Sequence, residues 1–386
     1  MAIKIAIIAH ACRGGGGLFQ TTNLLKALKN VVRDEQFLLV CSAGYGFEKI
    51  ELPPNSKVFV FQGKHNPLER YWFELVTLPN LIDRYNPDVV YSPGPIGLVN
   101  SRVPQALFIR NGYLFYDKKH YPDMHLRLRL RIAALKWQVK KSLPSTKLIF
   151  CQTPIVEQRF SEKYDYPRNQ MRVLGFPPPA EMPSATNLEA PCVLDKKLGD
   201  FRILMLTEYM PHKNPGILIS LCERYDSQIR EKQIRFITTV EPEDHPRAEK
   251  FLKEVSRRGL GDVIINAGKL SRKDVSRYLC HSDILWLPTL LECLPTTYLE
   301  AMSVGAPILA PDLDFARYTC DEAAVYYDPW DVDSIFEKIM FMRENPQIRR
   351  GLAEKGKLQL QNREKFPESW EEVAAITLQE LRKLAK

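Results

Sequence analysis

The chain has 386 residues, 45% apolar and 26% charged, with a formal net charge of +8: ordinary globular proportions, and length enough for two α/β domains. No apolar run reaches the roughly 18 residues that span a bilayer, and the eight cysteines (12, 41, 151, 192, 222, 280, 293, 320) show no CxxC pair or Cys/His spacing, which argues against zinc and fits reduced thiols. The apolar opening IKIAIIAHAC (3–12) lacks a basic leader and an A-x-A site, so it reads as a first strand rather than a signal peptide, and a cytoplasmic chain is expected. Strand-like runs follow at 37–41, 58–61, 88–92, 106–110, 147–151 and 171–174, separated by helical patterns such as TTNLLKALKNVV. A second series lies at 202–207, 234–239, 263–267, 284–287, 307–310 and 324–327.

Alternation of this kind predicts an α/β protein of two Rossmann-like domains, each a parallel sheet covered by helices. The proline-rich stretch at 175–200 has little periodicity and is the best linker in the chain. The expected division is a first domain at 1–178, a linker at 179–198, a second domain at 199–365, and a closing helix at 366–386 whose options include crossing back to the first domain. Charge is uneven: +10 over residues 1–190 and −2 over 191–386. A basic half fits a phosphorylated substrate or an anionic membrane, and without a helix-turn-helix, RRM or zinc-finger pattern no nucleic-acid partner is expected.

Four glycines in HACRGGGGLFQ (10–20) stand between the first strand and its helix, where a backbone can approach a phosphate or sugar closely. They do not form G-x-G-x-x-G, so hydride chemistry with a dinucleotide loses its main support. The equivalent turn of the second series, LTEYMPHKNPGILISL (206–221), places Lys213 just before a helix, within reach of a ligand at the carboxyl end of the sheet. The stretch LECLPTTYLEAM (291–302) puts Glu292 before a helix start and Glu300 in what reads as its first turn. Thr297 and Glu300 have capping-box spacing, and the helix should stop at Gly305. A carboxylate pair also suits a glycosidase, but the doubled α/β architecture favours a nucleotide-binding cleft.

The aspartate pairs in DLD (312–314) and DVD (331–333) have a spacing that can hold Mg²⁺ or Mn²⁺, and they equally suit loops and helix starts. No metal is expected. The basic segment 118–142 offers Leu126, Leu130, Ala133, Ala134 and Trp137 at helical spacing. This stripe fits either an anionic membrane surface or packing on the chain's own sheet.

Together these residues resemble the retaining GT-B glycosyltransferases of family 4, most closely over 200–330: E-x7-E reads as Glu292 to Glu300, followed by AMSVGAPILAPD, with HKNPGILI upstream. The resemblance implies two Rossmann-like domains facing a central cleft. It implies catalytic roles for Lys213 and Glu292, and donor contacts from Gly16, Gly17, Leu270, Leu294, Pro295, Thr296, Thr297 and Glu300. In such enzymes the first glutamate binds hydroxyls of the donor sugar, the second binds the ribose, and the helix start between them holds the diphosphate. There are two departures: Glu208 stands where the family usually has an arginine, and Arg110 and Asn111 stand where an N-domain histidine is often found, leaving His10 as a substitute. The expected function is transfer of a hexose from a nucleotide diphosphate sugar, a UDP-sugar, to a glycan or lipid-linked acceptor in polysaccharide synthesis. No cofactor is expected, and peripheral contact with the inner face of an anionic membrane is an option. The alternatives are a nucleotide-sugar epimerase of the same fold and an idle sugar-nucleotide-binding subunit.

Overall fold

The computed structural model of the chain describes residues 2–63, 66–122, 124–179, 191 and 200–386. Apart from its residues 179 and 191, the expected linker at 179–198 lies outside the described residues. The chain divides into two compact units: Met1–Tyr116, His125–Pro177 and Pro367–Lys386 form the first, and Asp117–Met124 with Pro178–Phe366 form the second.

The first unit runs β1 (Lys4–Ile8), α1 (Gly15–Val31), β2 (Gln36–Ser42), β3 (Lys57–Phe61), α2 (Pro67–Trp72), α3 (Leu78–Tyr85), β4 (Val89–Ser92), β5 (Gln105–Ile109), α4 (Leu126–Ser142), β6 (Thr146–Cys151), α5 (Pro154–Tyr164) and β7 (Met171–Val173). The second runs β8 (Phe201–Met205), α6 (Ile217–Arg224), α7 (Asp226–Glu231), β9 (Ile234–Thr238), α8 (Ala248–Arg257), β10 (Ile264–Asn266), α9 (Arg272–His281), β11 (Ile284–Trp286), α10 (Thr296–Val304), β12 (Ile308–Pro311), α11 (Asp314–Cys320), β13 (Ala324–Tyr327), α12 (Val332–Glu344) and α13 (Pro346–Gln359). A last helix, α14 (Trp370–Leu384), returns to the first unit, where Arg382 Nε donates to Glu35 Oε1 at 2.5 Å. Residues 117–124 go the other way, with the Lys119 ammonium 5.5 Å from the Trp330 ring centroid inside the second unit.

Each expected apolar run coincides with a strand, because parallel strands covered on both faces read as continuous apolar stretches. Among the described residues the first sheet has the order β3-β2-β1-β4-β5-β6-β7 and the second β10-β9-β8-β11-β12-β13, and the paired strands run parallel. Ile5 pairs across with Phe37 and Val89, and Ile203 with Phe236 and Ile284. These side chains are fully or almost fully buried, and each contributes roughly 1.5–3 kcal/mol of transfer free energy. In both sheets the strand order reverses beside the first strand, between β1 and β4 and between β8 and β11. The loops leaving those strands diverge there, which opens a crevice at the carboxyl end of each sheet.

Candidate functional site

In the second unit the crevice is bordered by the loops after β8 and β11, and hydrogen bonds fasten them together. Leu290 N–H donates to the His212 carbonyl at 2.7 Å, and the buried Thr289 hydroxyl lies 3.3 Å from the same oxygen. Lys213 ends a 3₁₀ turn, Pro211–Lys213, and Asn214 follows in the left-handed region at φ 52°. This short, sharply ended turn carries the Lys213 ammonium to Glu292 Oε1, with which it forms an ion pair. Thr289 Oγ1 also lies 3.3 Å from Glu292 Oε1.

Burial alone would raise the Glu292 pKa, but the Lys213 charge and hydrogen bonds from Lys213 and Thr289 outweigh it and hold the carboxyl below the ordinary range. Burial pushes the neighbouring His212 imidazole down to about 4 against the pull of Glu292, so it stands neutral at pH 7. The local charges are therefore one carboxylate and one ammonium, both partly open to solvent.

The helix behind this pair differs from the sequence expectation. Its N-cap is Pro295, Thr296 is its first residue, and no side chain caps it. The expected capping box of Thr297 with Glu300 is absent because the helix starts one residue before Thr297, which places Glu300 in the second turn rather than the first. The first N–H groups of a helix have no intrahelical partner, and a proline at the cap offers no side-chain acceptor. Leu294 and Pro295 are buried, Thr296 and Thr297 are partly exposed, and the start of α10 carries no acid in its first turn. The helix ends as expected at Gly305, at φ 74°.

Glu300 receives no side-chain hydrogen bond from the described residues, and burial raises its pKa against an opposing pull from Arg272. A half-buried carboxylate without a donor is an acceptor with capacity to spare. Leu270 lies in the loop after β10, partly exposed, next to Lys269, whose N–H donates to Glu241 Oε1 at 2.5 Å. Gly268, at φ +69°, leaves room for that contact, since a Cβ there would stand 2.7 Å from Glu241 Oε1. Glu208 is exposed and forms no ion pair among the described residues.

In the first unit, Gly14 is the N-cap of α1 and Gly15, Gly16 and Gly17 form its first turn, so the glycine run is mostly helix start rather than loop. A Cβ at Gly14 or Gly15 would meet nothing within 4 Å, which leaves the helix end open. Arg110, at the end of β5, donates to Gln20 Oε1 at 2.9 Å and Thr21 Oγ1 at 3.1 Å and also to the Pro93 carbonyl. It therefore braces α1 beside Gly17. Asn111 caps a short turn through the Tyr113 N–H at 3.1 Å. His10 is fully buried and faces Glu74, with Nε2 2.8 Å from Glu74 Oε1, and burial lowers its pKa. These contacts give Arg110, Asn111 and His10 structural employment.

The aspartate pairs are engaged too. Asp312 takes a two-pronged bond from Arg317 at 2.7 and 2.8 Å, Asp331 caps α12, and Asp333 pairs with Arg224. His212, Thr289 and Arg272 escaped the sequence reading. The first two sit beside Lys213 and three residues before Glu292, and only the pairing of β8 with β11 gives those positions meaning.

Residues 189–359 match the family model described as Glycosyl transferases group 1. The MMP alpha-(1->4)-mannosyltransferase of Mycolicibacterium hassiacum is 26% identical over 160 residues, which cover 39% of this chain and 35% of that protein. The chain thus spans about a third of the length of that curated relative. Two solved structures match along nearly the whole chain. Sucrose-phosphate synthase from Thermosynechococcus elongatus has a TM-score of 0.73 at 14% identity over 99% of both chains. Anabaena HepE in complex with UDP and glucose has a TM-score of 0.66 at 14% identity over 99% of both. These likenesses identify the fold as GT-B, with two Rossmann-like domains.

Proposed function

We propose, for a chain whose residues 189–359 match the glycosyl transferases group 1 model and whose fold is GT-B, that it moves a hexose from a nucleotide diphosphate sugar to a glycan or lipid-linked acceptor. The observation that carries this reading is the Lys213–Glu292 pair, whose glutamate lies four residues before Thr296, the uncapped start of α10. Without a ligand, ammonium and carboxylate satisfy each other. When a donor binds, Lys213 turns to the diphosphate, Glu292 accepts from hydroxyls of the sugar, and the N–H groups near Thr296 and Thr297 take phosphate oxygens. Glu300, a turn further on, accepts from the ribose hydroxyls.

As the anomeric carbon–oxygen bond breaks, negative charge grows on the leaving phosphate, and donors already aimed there stabilise it more than the ground state. The acceptor hydroxyl attacks from the same face, its proton passes to the leaving phosphate oxygen, and configuration is retained. The HepE structure with UDP and glucose favours a UDP-sugar as donor. A role in polysaccharide synthesis follows from the acceptor class, and the basic first half of the chain suits an anionic or lipid-linked acceptor. No helix of the described residues is long and apolar enough to cross a membrane.

Incubation with radiolabelled UDP-hexoses, without acceptor, tests the proposal. Slow release of free hexose that retains the donor's configuration is expected, and this release should continue in EDTA because the lysine and helix amides already supply positive charge. Complete loss in EDTA restored by Mn²⁺ would reassign the diphosphate to a metal. The exposed, unpaired Glu208 favours one second reading, a binding subunit without turnover: UDP-sugar affinity with no hydrolysis or transfer would establish it, and inversion at a ring carbon would mark an epimerase.

A further inference from the structure

We propose that one face of the first unit, made by α2 with the turn that continues it and by α4, docks on a bilayer rich in anionic lipid. The stripe picked out in the sequence does not pack on the sheet. Ile132, Gln138, Val139 and Ser142 are the buried positions of α4, whereas Leu126 is 70% and Leu130 61% exposed, with Ala133 and Trp137 also open. At about 100° per residue these four residues share an arc of roughly 60°. Arg129 and Lys140 border that arc on one side and Arg127 and Lys141 on the other, all exposed. The helix carries no acidic residue.

A second set of exposed apolar side chains lies on α2 and the turn that follows it. Leu68 is 78% and Trp72 67% exposed, and Leu75 and Val76 follow in a π-helical turn, Phe73–Thr77, whose wider spacing keeps Phe73 and Glu74 inside. Glu74 ties the two helices into one platform: Oε1 takes Arg70 Nε at 2.7 Å, and Oε2 takes Gln138 Nε2 from α4 at 3.1 Å. Leucines flanked by lysine and arginine, with tryptophans beside them, are the composition that settles in the headgroup region. The charge of α4 opposes a second copy packed helix to helix as the occupant, because helices that carry cations and no acidic residue repel each other.

Docking would bring a lipid-linked acceptor to the enzyme, and to that extent the inference rests on the transferase reading, although vesicle binding is measured without substrate. The full chain is sedimented with phosphatidylcholine vesicles, with and without phosphatidylglycerol. Binding to the anionic vesicles alone, weakened by added salt, is expected. Arg127→Gln with Arg129→Gln should weaken binding on the order of 30-fold. Leu126→Ser with Leu130→Ser should weaken it on the order of tenfold or more, while Leu358→Ser, an exposed leucine of α13, should change nothing. Circular dichroism confirms that each variant is folded. Equal sedimentation with both vesicle types overturns the proposal, as does a concentration-dependent dimer that the leucine pair dissolves. Loss of vesicle binding with UDP affinity intact removes the docking face alone, and vesicle binding without UDP affinity removes the transferase reading alone.

Discussion

Lys213→Ala should slow transfer at subsaturating donor on the order of 100-fold, the loss of a charged hydrogen bond made where leaving-group charge develops, about 1.5–3 kcal/mol. The substitution also strips Glu292 of its counter-charge, so a carboxylate faces the diphosphate unopposed. Folding should suffer little, because both side chains are partly exposed and solvent screens the pair. The pair's own contribution to stability has a definite sign. The Glu292 pKa is depressed on folding, so the contribution is present above the ordinary carboxylate pKa and lost as pH falls through the lower folded value. Steady-state kinetics beside a thermal melt separates the two effects, and unchanged kinetics at low donor would take Lys213 out of the site.

Glu300→Gln should lower UDP affinity roughly 5- to 150-fold, or about 1–3 kcal/mol, because the amide keeps one acceptor oxygen and turns N–H donors toward the ribose diol. The structure sharpens this expectation. Glu300 closes no capping box, so its replacement cannot act through a lost cap. Its pKa is raised by burial, so the ionised form costs stability at pH values above the ordinary carboxylate pKa, and the neutral amide should leave the melting midpoint equal or slightly higher. Glu292→Gln should behave differently, leaving UDP binding near normal and impairing transfer, since its proposed partner is the hexose. Calorimetric titration of both variants with UDP and with the sugar nucleotide reads the difference. Equal UDP affinity in Glu300→Gln and the parent protein would leave this glutamate without a ligand role.

Runs such as RILMLT and DILWLP announce buried parallel strands, and Gly305 announces a left-handed helix end, because both depend on residues adjacent in sequence. The partnership of Lys213 with Glu292 spans 79 positions and exists only because β8 lies beside β11, an order that hydrophobic patterning does not encode. The capping box expected at α10 fails for a local reason. T-x-x-E spacing is present at Thr297, but Pro295, with its fixed φ, starts the helix earlier. In α4 the periodicity reveals an apolar stripe without saying which way it faces. Ile132 and Val139 offer a second apolar side, and that is the one the sheet takes. The pairing of His10 Nε2 with Glu74, 64 positions away, is likewise invisible to local patterning.

The central claim is that the crevice beside β8 and β11 holds a nucleoside diphosphate through protein groups alone. Calorimetric titration of the parent protein with UDP, in EDTA, tests it most directly when set against Lys213→Ala and Glu300→Gln. The account predicts saturable binding at one site per chain, insensitive to EDTA and weakened in both variants. Absence of binding at millimolar UDP, or equal affinity in all three proteins, would contradict it.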